Sequence, residues 1–192
     1  QYDSYSILDS FGLAEYQTLK KMCQDYGIEF MSTPFDEDSL EMLVDMGMGA
    51  IKIASCDITN FGLLDRAGAS GLPIFLSTGA SDSYEIDEAL NVIRSAGGSS
   101  IVLMHCTLCY PTPFKDANLS ALSDLSKQFI KPRLGLSDHT LGTAIPIASV
   151  ALGVRVIEKH FTFDKSLPDS ADHWLSVDAA ELKSIVAGTA AV

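Results

Sequence analysis

The chain has 192 residues, enough for one sizeable core, and its 47% hydrophobic and 20% charged residues describe a globular protein rather than a disordered one. With 25 acidic and 13 basic side chains the net charge is −12, which argues against a nucleic-acid surface but leaves room for a small anion held by a few focused cations. The longest apolar stretch, residues 144–157, is broken by Pro146, Gly153 and Arg155, so it is no membrane span; no basic-then-apolar leader opens the sequence, and a cytoplasmic location is expected.

In chain order, residues 13–26 place Leu19, Met22, Cys23 and Tyr26 at the three-and-four spacing of a buried helix face. A first apolar run, Glu29-Phe-Met-Ser-Thr-Pro34, follows, then a helix over residues 38–46 carried by Leu40, Leu43 and Val44. The runs Ala50-Ile-Lys-Ile-Ala-Ser55 and Pro73-Ile-Phe-Leu-Ser-Thr-Gly79 come next. Asp82-Ser-Tyr-Glu85 reads as a capping box opening a helix that Gly97-Gly98 stops. The runs at residues 100–107, 133–139 and 155–160 alternate with helical patterns at 119–129, 143–152 and 178–186. Strand and helix therefore alternate along a single domain, residues 1–192, the pattern of repeated parallel βα units.

Each of the six runs starts apolar and closes on a polar or ionisable cluster. Parallel strands buried on both faces read as continuous hydrophobic runs, and in α/β barrels the chemistry sits where such strands end. Six coincidences of this kind predict one mouth lined by polar groups, and so an enzyme. A closed barrel needs eight strands, so six leave either an incomplete barrel or an open doubly wound sheet.

Alternation along a strand puts Ser137 and His139 on one side of their run, and Glu158 and His160 on one side of the next, with Lys159 facing the other way. Two neutral imidazoles with a carboxylate nearby suit a catalytic divalent metal. Each can equally hydrogen-bond a neighbouring loop, with Asp138 orienting a turn. Lys52, flanked by Ile51 and Ile53, is costly inside an apolar strand unless it meets an anion or, as an amine, forms a Schiff base; snorkelling to solvent is the remaining option. Thr33, Ser55 and Ser77 close strands, with Asp57 just beyond, and hydroxyls near a lysine suit phosphate oxygens. Tyr110-Pro-Thr-Pro-Phe114 is a rigid loop after His105-Cys-Thr107, and His173 follows the last run. Cys106 and Cys109 have zinc-type spacing without a second pair, and Cys23 and Cys56 fit no ligand spacing, so all four read as reduced thiols.

Together, Lys52-Ile-Ala-Ser55 with Asp57 and Thr59-Asn60, Leu76-Ser-Thr-Gly79, His105-Cys-Thr107 with Tyr110-Pro-Thr-Pro113, Gly135-Leu-Ser-Asp-His-Thr140 and Ile157-Glu-Lys-His-Phe-Thr162 resemble the sialic acid (N-acetylneuraminate) synthase family, with its legionaminate and pseudaminate relatives. The resemblance runs over nearly the whole chain in the family's order.

It implies a (β/α)8 TIM-barrel type, here an incomplete barrel with strands 3–8 and their helices. The family's C-terminal antifreeze-like domain, which reaches into the partner's site of a homodimer, has no counterpart. The implied reaction is a metal-assisted condensation of phosphoenolpyruvate with an N-acyl sugar, N-acetylmannosamine or a relative, releasing phosphate. His139 and His160 are the implied ligands of manganese or magnesium. Lys52, Thr33, Ser55, Ser77, Ser137 and His105 are the implied phosphoenolpyruvate and substrate contacts. Lys52 is also counted with Asp57, Tyr110, Glu158 and Asp172 as catalytic groups around the sugar or reacting centre. The rival readings are a metal-independent Schiff-base aldolase on Lys52 or Lys159, and a vestigial sugar-phosphate-binding module. The Glu and Lys of the family's first two strands have no match, Leu108 stands where relatives often have a polar residue, and the Leu167–Asp172 loop lacks the usual Pro-Gly form; an excerpt of a synthase, inactive alone, is the expectation.

Overall fold

The computed structural model describes residues 10–129, 132–168 and 172–192. Five strands follow chain order, β1 (Ile51–Ile53), β2 (Ile74–Ser77), β3 (Ile101–Cys106), β4 (Arg133–Asp138) and β5 (Val154–Lys159). The sixth run, Glu29–Pro34, forms no strand. A strand is defined by its ladder, and here the Ser32 N–H donates to the Met48 thioether at 3.3 Å instead of a carbonyl. Backbone contacts group the chain into two compact units, one of residues up to Leu76 with Asp82–Ile101, the other of Ser77–Ser81 with Val102–Val192.

In the first unit β1 pairs with β2 in parallel, Ile51 opposite Ile74, Lys52 opposite Phe75 and Ile53 opposite Leu76. The four aliphatic side chains of this ladder are fully buried, so Lys52 and Phe75 share the other face. The unit also holds helices α1 (Leu13–Asp25), α2 (Glu37–Asp45), α3 (Phe61–Ala69) and α4 (Ser83–Ser95). Helix α4 opens as its sequence dictates: Asp82 accepts from the N–H groups of Tyr84 and Glu85 at 2.9 Å, and Glu85 returns a bond to the Asp82 N–H at 2.9 Å. Helix α1 forms at the predicted place, but none of its residues is buried. Its apolar spacing fixes which side chains share a face, whereas burial needs a partner surface. Helix α3 was absent from the periodicity, because nine residues with two glycines carry too little pattern. Its remaining signal is Asn60, whose side chain caps the Leu63 N–H at 3.4 Å.

The second unit holds β3, β4 and β5 with α5 (Ala121–Gln128), α6 (Ala144–Val150) and α7 (Ala179–Ala191). Its parallel register sets two faces. Met104 lies opposite Gly135 and Cys106 opposite Ser137, and these continue to Val156 and Glu158 on one face. Leu136, Ile157, Asp138 and Lys159 take the other. A bulge interrupts the β4–β5 ladder: Leu134 pairs with Val154 but Gly135 with Val156, so Arg155 is the extra residue. At the bulge Gly135 is needed for close approach, since a Cβ there would sit 2.9 Å from Met104 Cγ and 3.2 Å from the Val156 carbonyl oxygen. Among the described residues no helix is long and apolar enough to cross a membrane.

Candidate active site

At the polar end of β4 and β5 three rings converge. The His139 and His160 centroids are 5.3 Å apart, and the Tyr110 ring lies 4.0 Å from His139 and 5.7 Å from His160, edge-on to the latter. Tyr110 comes from the loop after β3 and is half exposed, so it covers the two imidazoles from the solvent side. His139 Nδ1 lies 3.2 Å from the Thr107 carbonyl oxygen; a carbonyl only accepts, so Nδ1 carries the proton and Nε2 keeps its lone pair. Burial, the largest influence, holds the His139 imidazole below its ordinary pKa; the Thr107 bond opposes this, and nearby His160 adds to it. His160 Nδ1 faces Asp172 Oδ2 at 3.8 Å, an ion-pair approach longer than a hydrogen bond.

This donor set fits a divalent cation. Both rings turn Nδ1 toward a protein oxygen, the arrangement that orients metal-bound histidines and frees Nε2. Among the described residues no third His, Cys, Asp or Glu forms a metal-holding group with them. Water or substrate oxygens would therefore complete the shell, as catalytic rather than structural sites require.

Ser137 and Glu158 are register partners two residues before the two histidines, and by alternation they share their face. Ser77, at the end of β2, is 2% exposed, and its Oγ has no hydrogen-bond partner among the described residues. A buried hydroxyl left this way costs about 1–3 kcal/mol unless a ligand or water supplies the bond. His105 is placed differently from its expected substrate role. It lies opposite Leu136, away from the Ser137 face, and its Nε2 donates to the Ala117 carbonyl at 2.9 Å, which ties down the loop after β3. Cys106, which the sequence reading passed over as a packing thiol, is the residue that pairs with Ser137. His173 is tied to Thr162, 2.8 Å from its hydroxyl oxygen. The Leu167–Asp172 loop lies partly outside the described residues.

In the first unit Lys52 is half-buried on β1, with Nζ 3.3 Å from the Ile53 carbonyl oxygen. Ser55 and Asp57 begin and end the 3₁₀ turn that follows, both half-buried, and Asp57 accepts from Asn60 Nδ2 at 3.3 Å. Thr33 is half-buried in the loop after α1. Cys56, between Ser55 and Asp57, is exposed, yet local burial first and the Asp57 carboxylate second push its thiol pKa up. Asp57→Asn removes that charge and leaves a neutral, weaker acceptor. Alkylation of Cys56 by iodoacetamide at pH 8 should then speed up about threefold; an unchanged rate would show that burial alone sets the thiol.

The second unit also holds a cavity away from the rings. A groove of about 490 Å³ lies along β5 and α7, lined mainly by Val154, Ile157, Phe161, Val177, Ile185 and Val186. Its charged lining is Arg155 and Lys159, the latter held by Asp138, so the ring cluster is the better candidate for chemistry.

Parallel strands in chain order, alternating with helices and ending in polar groups, define an α/β fold of the TIM-barrel type. A truncated 3-deoxy-D-arabino-heptulosonate 7-phosphate synthase from Thermotoga maritima shares this fold, with a TM-score of 0.78 over 95% of this chain and 72% of that one, at 20% identity. Residues 1–192 match the NeuB family, and the chain belongs to it. The crystal structure of the N-acetylneuraminic acid synthetase from Leptospira borgpetersenii superposes with a TM-score of 0.89 at 39% identity, covering 94% of this chain and 62% of that one. The N,N'-diacetyllegionaminic acid synthase of Legionella pneumophila is 42% identical over 188 residues, 95% of this chain and 52% of its own length. The chain spans about half the length of the curated relatives it matches.

Proposed function

We propose that this chain carries the strand-end chemistry of a nonulosonic acid synthase, which joins phosphoenolpyruvate to an open-chain N-acyl sugar, N-acetylmannosamine or a relative, and releases phosphate. The observation that carries the reading is the His139–His160 pair under Tyr110, in a chain of the NeuB family. His139 and His160 would hold a divalent ion, manganese or magnesium, which would supply Lewis-acid polarisation of the sugar aldehyde. Tyr110 limits water around the imidazoles, and Asp172 orients the His160 ring. Ser77 offers its unpaired hydroxyl to an anionic oxygen, with Ser137 on the histidine face. In this reading Lys52 of the first unit supplies positive charge for a phosphate or carboxylate, Ser55 and Thr33 supply hydroxyls, and Asp57 is a polar group for the sugar. Glu158 is placed to hold or move a proton beside His160. The synthase works as a homodimer in this reading.

The Schiff-base alternative fares differently at its two lysines. Lys159 is committed to a buried ion pair with Asp138 at 2.6 Å, and a nucleophilic amine there would have to break it. Lys52 keeps the question open to experiment, because borohydride with pyruvate traps an imine and leaves a phosphoenolpyruvate site untouched. The direct test is phosphoenolpyruvate binding by calorimetry. A charge-assisted contact is worth about 1.5–3 kcal/mol, so Lys52→Met should weaken binding roughly ten- to a hundredfold. Lys127→Met, on the exposed side of α5, should change nothing. Equal effects from the two changes would remove Lys52 from the site.

A further inference from the structure

We propose that the buried Asp138–Lys159 pair is a positioning device that holds His139 and His160 at their ring separation, an inference that rests on reading the two imidazoles as ligands of one cation. Asp138 and Lys159 form the last rung of the β4–β5 ladder, and each histidine is the next residue, where no rung holds it. By alternation the pair lies on the sheet face opposite the imidazoles, so it touches neither ring's ligand side.

Its bonding is nevertheless aimed at them. Lys159 Nζ donates to Asp138 Oδ2 at 2.6 Å and to the Thr140 carbonyl. Asp138 accepts from the Thr140 N–H at 3.1 Å and from the Thr140 hydroxyl at 3.0 Å. The residues on both sides of His139 are thereby tied to the neighbour of His160.

The two side chains are 5% and 3% exposed. Desolvating such a pair offsets most of its attraction, and two apolar side chains of similar size would fill the space about as well. What apolar packing cannot supply is direction. A short, multiply bonded ion pair fixes both register and the splay of the two strand ends, which is what a shared ligand geometry needs. The bulge at Arg155 belongs to the same device, because it brings Lys159 opposite Asp138.

The test is the double variant Asp138→Leu/Lys159→Met, which removes the pair without stranding a charge. It is read by cross-relaxation between the ring protons of His139 and His160 and by calorimetry with manganese alone; with four histidines in the chain the ring signals are assignable. The expected result is a melting temperature within about 5 °C of the parent, a ring-to-ring cross-peak weakened severalfold, and manganese affinity down roughly ten- to a hundredfold. A pair that merely stabilised the fold would shift melting and leave the cross-peak of the folded protein intact. A folded double variant with an unchanged cross-peak overturns the proposal, whatever manganese does. Should the parent chain bind no manganese, the metal reading fails and the cross-peak alone decides positioning. If the double variant does not fold, Lys159→Arg, which keeps the charge but alters its reach, replaces it: a weakened cross-peak supports positioning and an unchanged one overturns it.

Discussion

Asp138→Asn should destabilise the protein by about 3–5 kcal/mol, the cost of breaking a buried pair from one side. The reason is what remains behind. Lys159, with its side chain 5% exposed, would keep only the Thr140 carbonyl as a partner for a desolvated ammonium. The Thr140 N–H and hydroxyl would share a neutral amide oxygen in place of a carboxylate. Replacing both partners at once with Leu and Met removes the unpaired charge, and that variant should unfold within about 2 kcal/mol of the parent. Urea denaturation with a common m-value measures both. A single variant no worse than the double would mean that the two charges do not share a buried site.

Two glycines of α3 should respond to the same substitution with opposite signs. Ala is favoured over Gly in a helix by about 1 kcal/mol, and that gain is available at both positions. At Gly62 the new methyl would meet the Glu37 Oε1 atom at 2.6 Å, the far end of a flexible side chain that can swing away. Gly62→Ala should therefore raise stability by about 0.5–1 kcal/mol. At Gly68 the methyl would lie 2.5 Å from the Ile93 carbonyl oxygen and 3.1 Å from its Cα, both backbone of α4, with Ala96 Cβ at 2.9 Å. Helix α4 has to move as a body to relieve this, so Gly68→Ala should cost about 1–3 kcal/mol in spite of its better propensity. Thermal melting of the two variants side by side checks the signs; a stabilising Gly68→Ala would show that α3 and α4 do not approach this closely.

What could be read in the sequence follows from the range of the interactions concerned. Buried parallel strands announce themselves locally, so the runs ending at Ser55, Gly79, Thr107, His139 and His160 all proved to hold strands. The Asp82 capping box spans four residues and was equally plain. Alternation then put Ser137 with His139 and Glu158 with His160, and the register sets Ser137 opposite Glu158. Reading failed where a feature depends on a second segment. Glu29–Pro34 needs another backbone to become a strand, and the apolar stripe of α1 needs another surface to become core. The face of His105 and the pairing of Asp138 with Lys159 depend on register, which no strand specifies alone.

That register turns on one residue at the far end of β5. Were Arg155 taken into the ladder instead of bulging out of it, counting up from Leu134 and Val154 would set Asp138 against Glu158 and His139 against Lys159. Two carboxylates would then face each other where an ion pair now sits, and an ammonium would stand beside the imidazole where its counterpart ring now stands. The spacing from Arg155 to Lys159 is about 13 Å at strand rise. The electrostatic character of this strand end is thus written as a phase rather than a composition: all its chemical groups can be present, in unchanged order, and still be tuned to the wrong note by a count that is off by one.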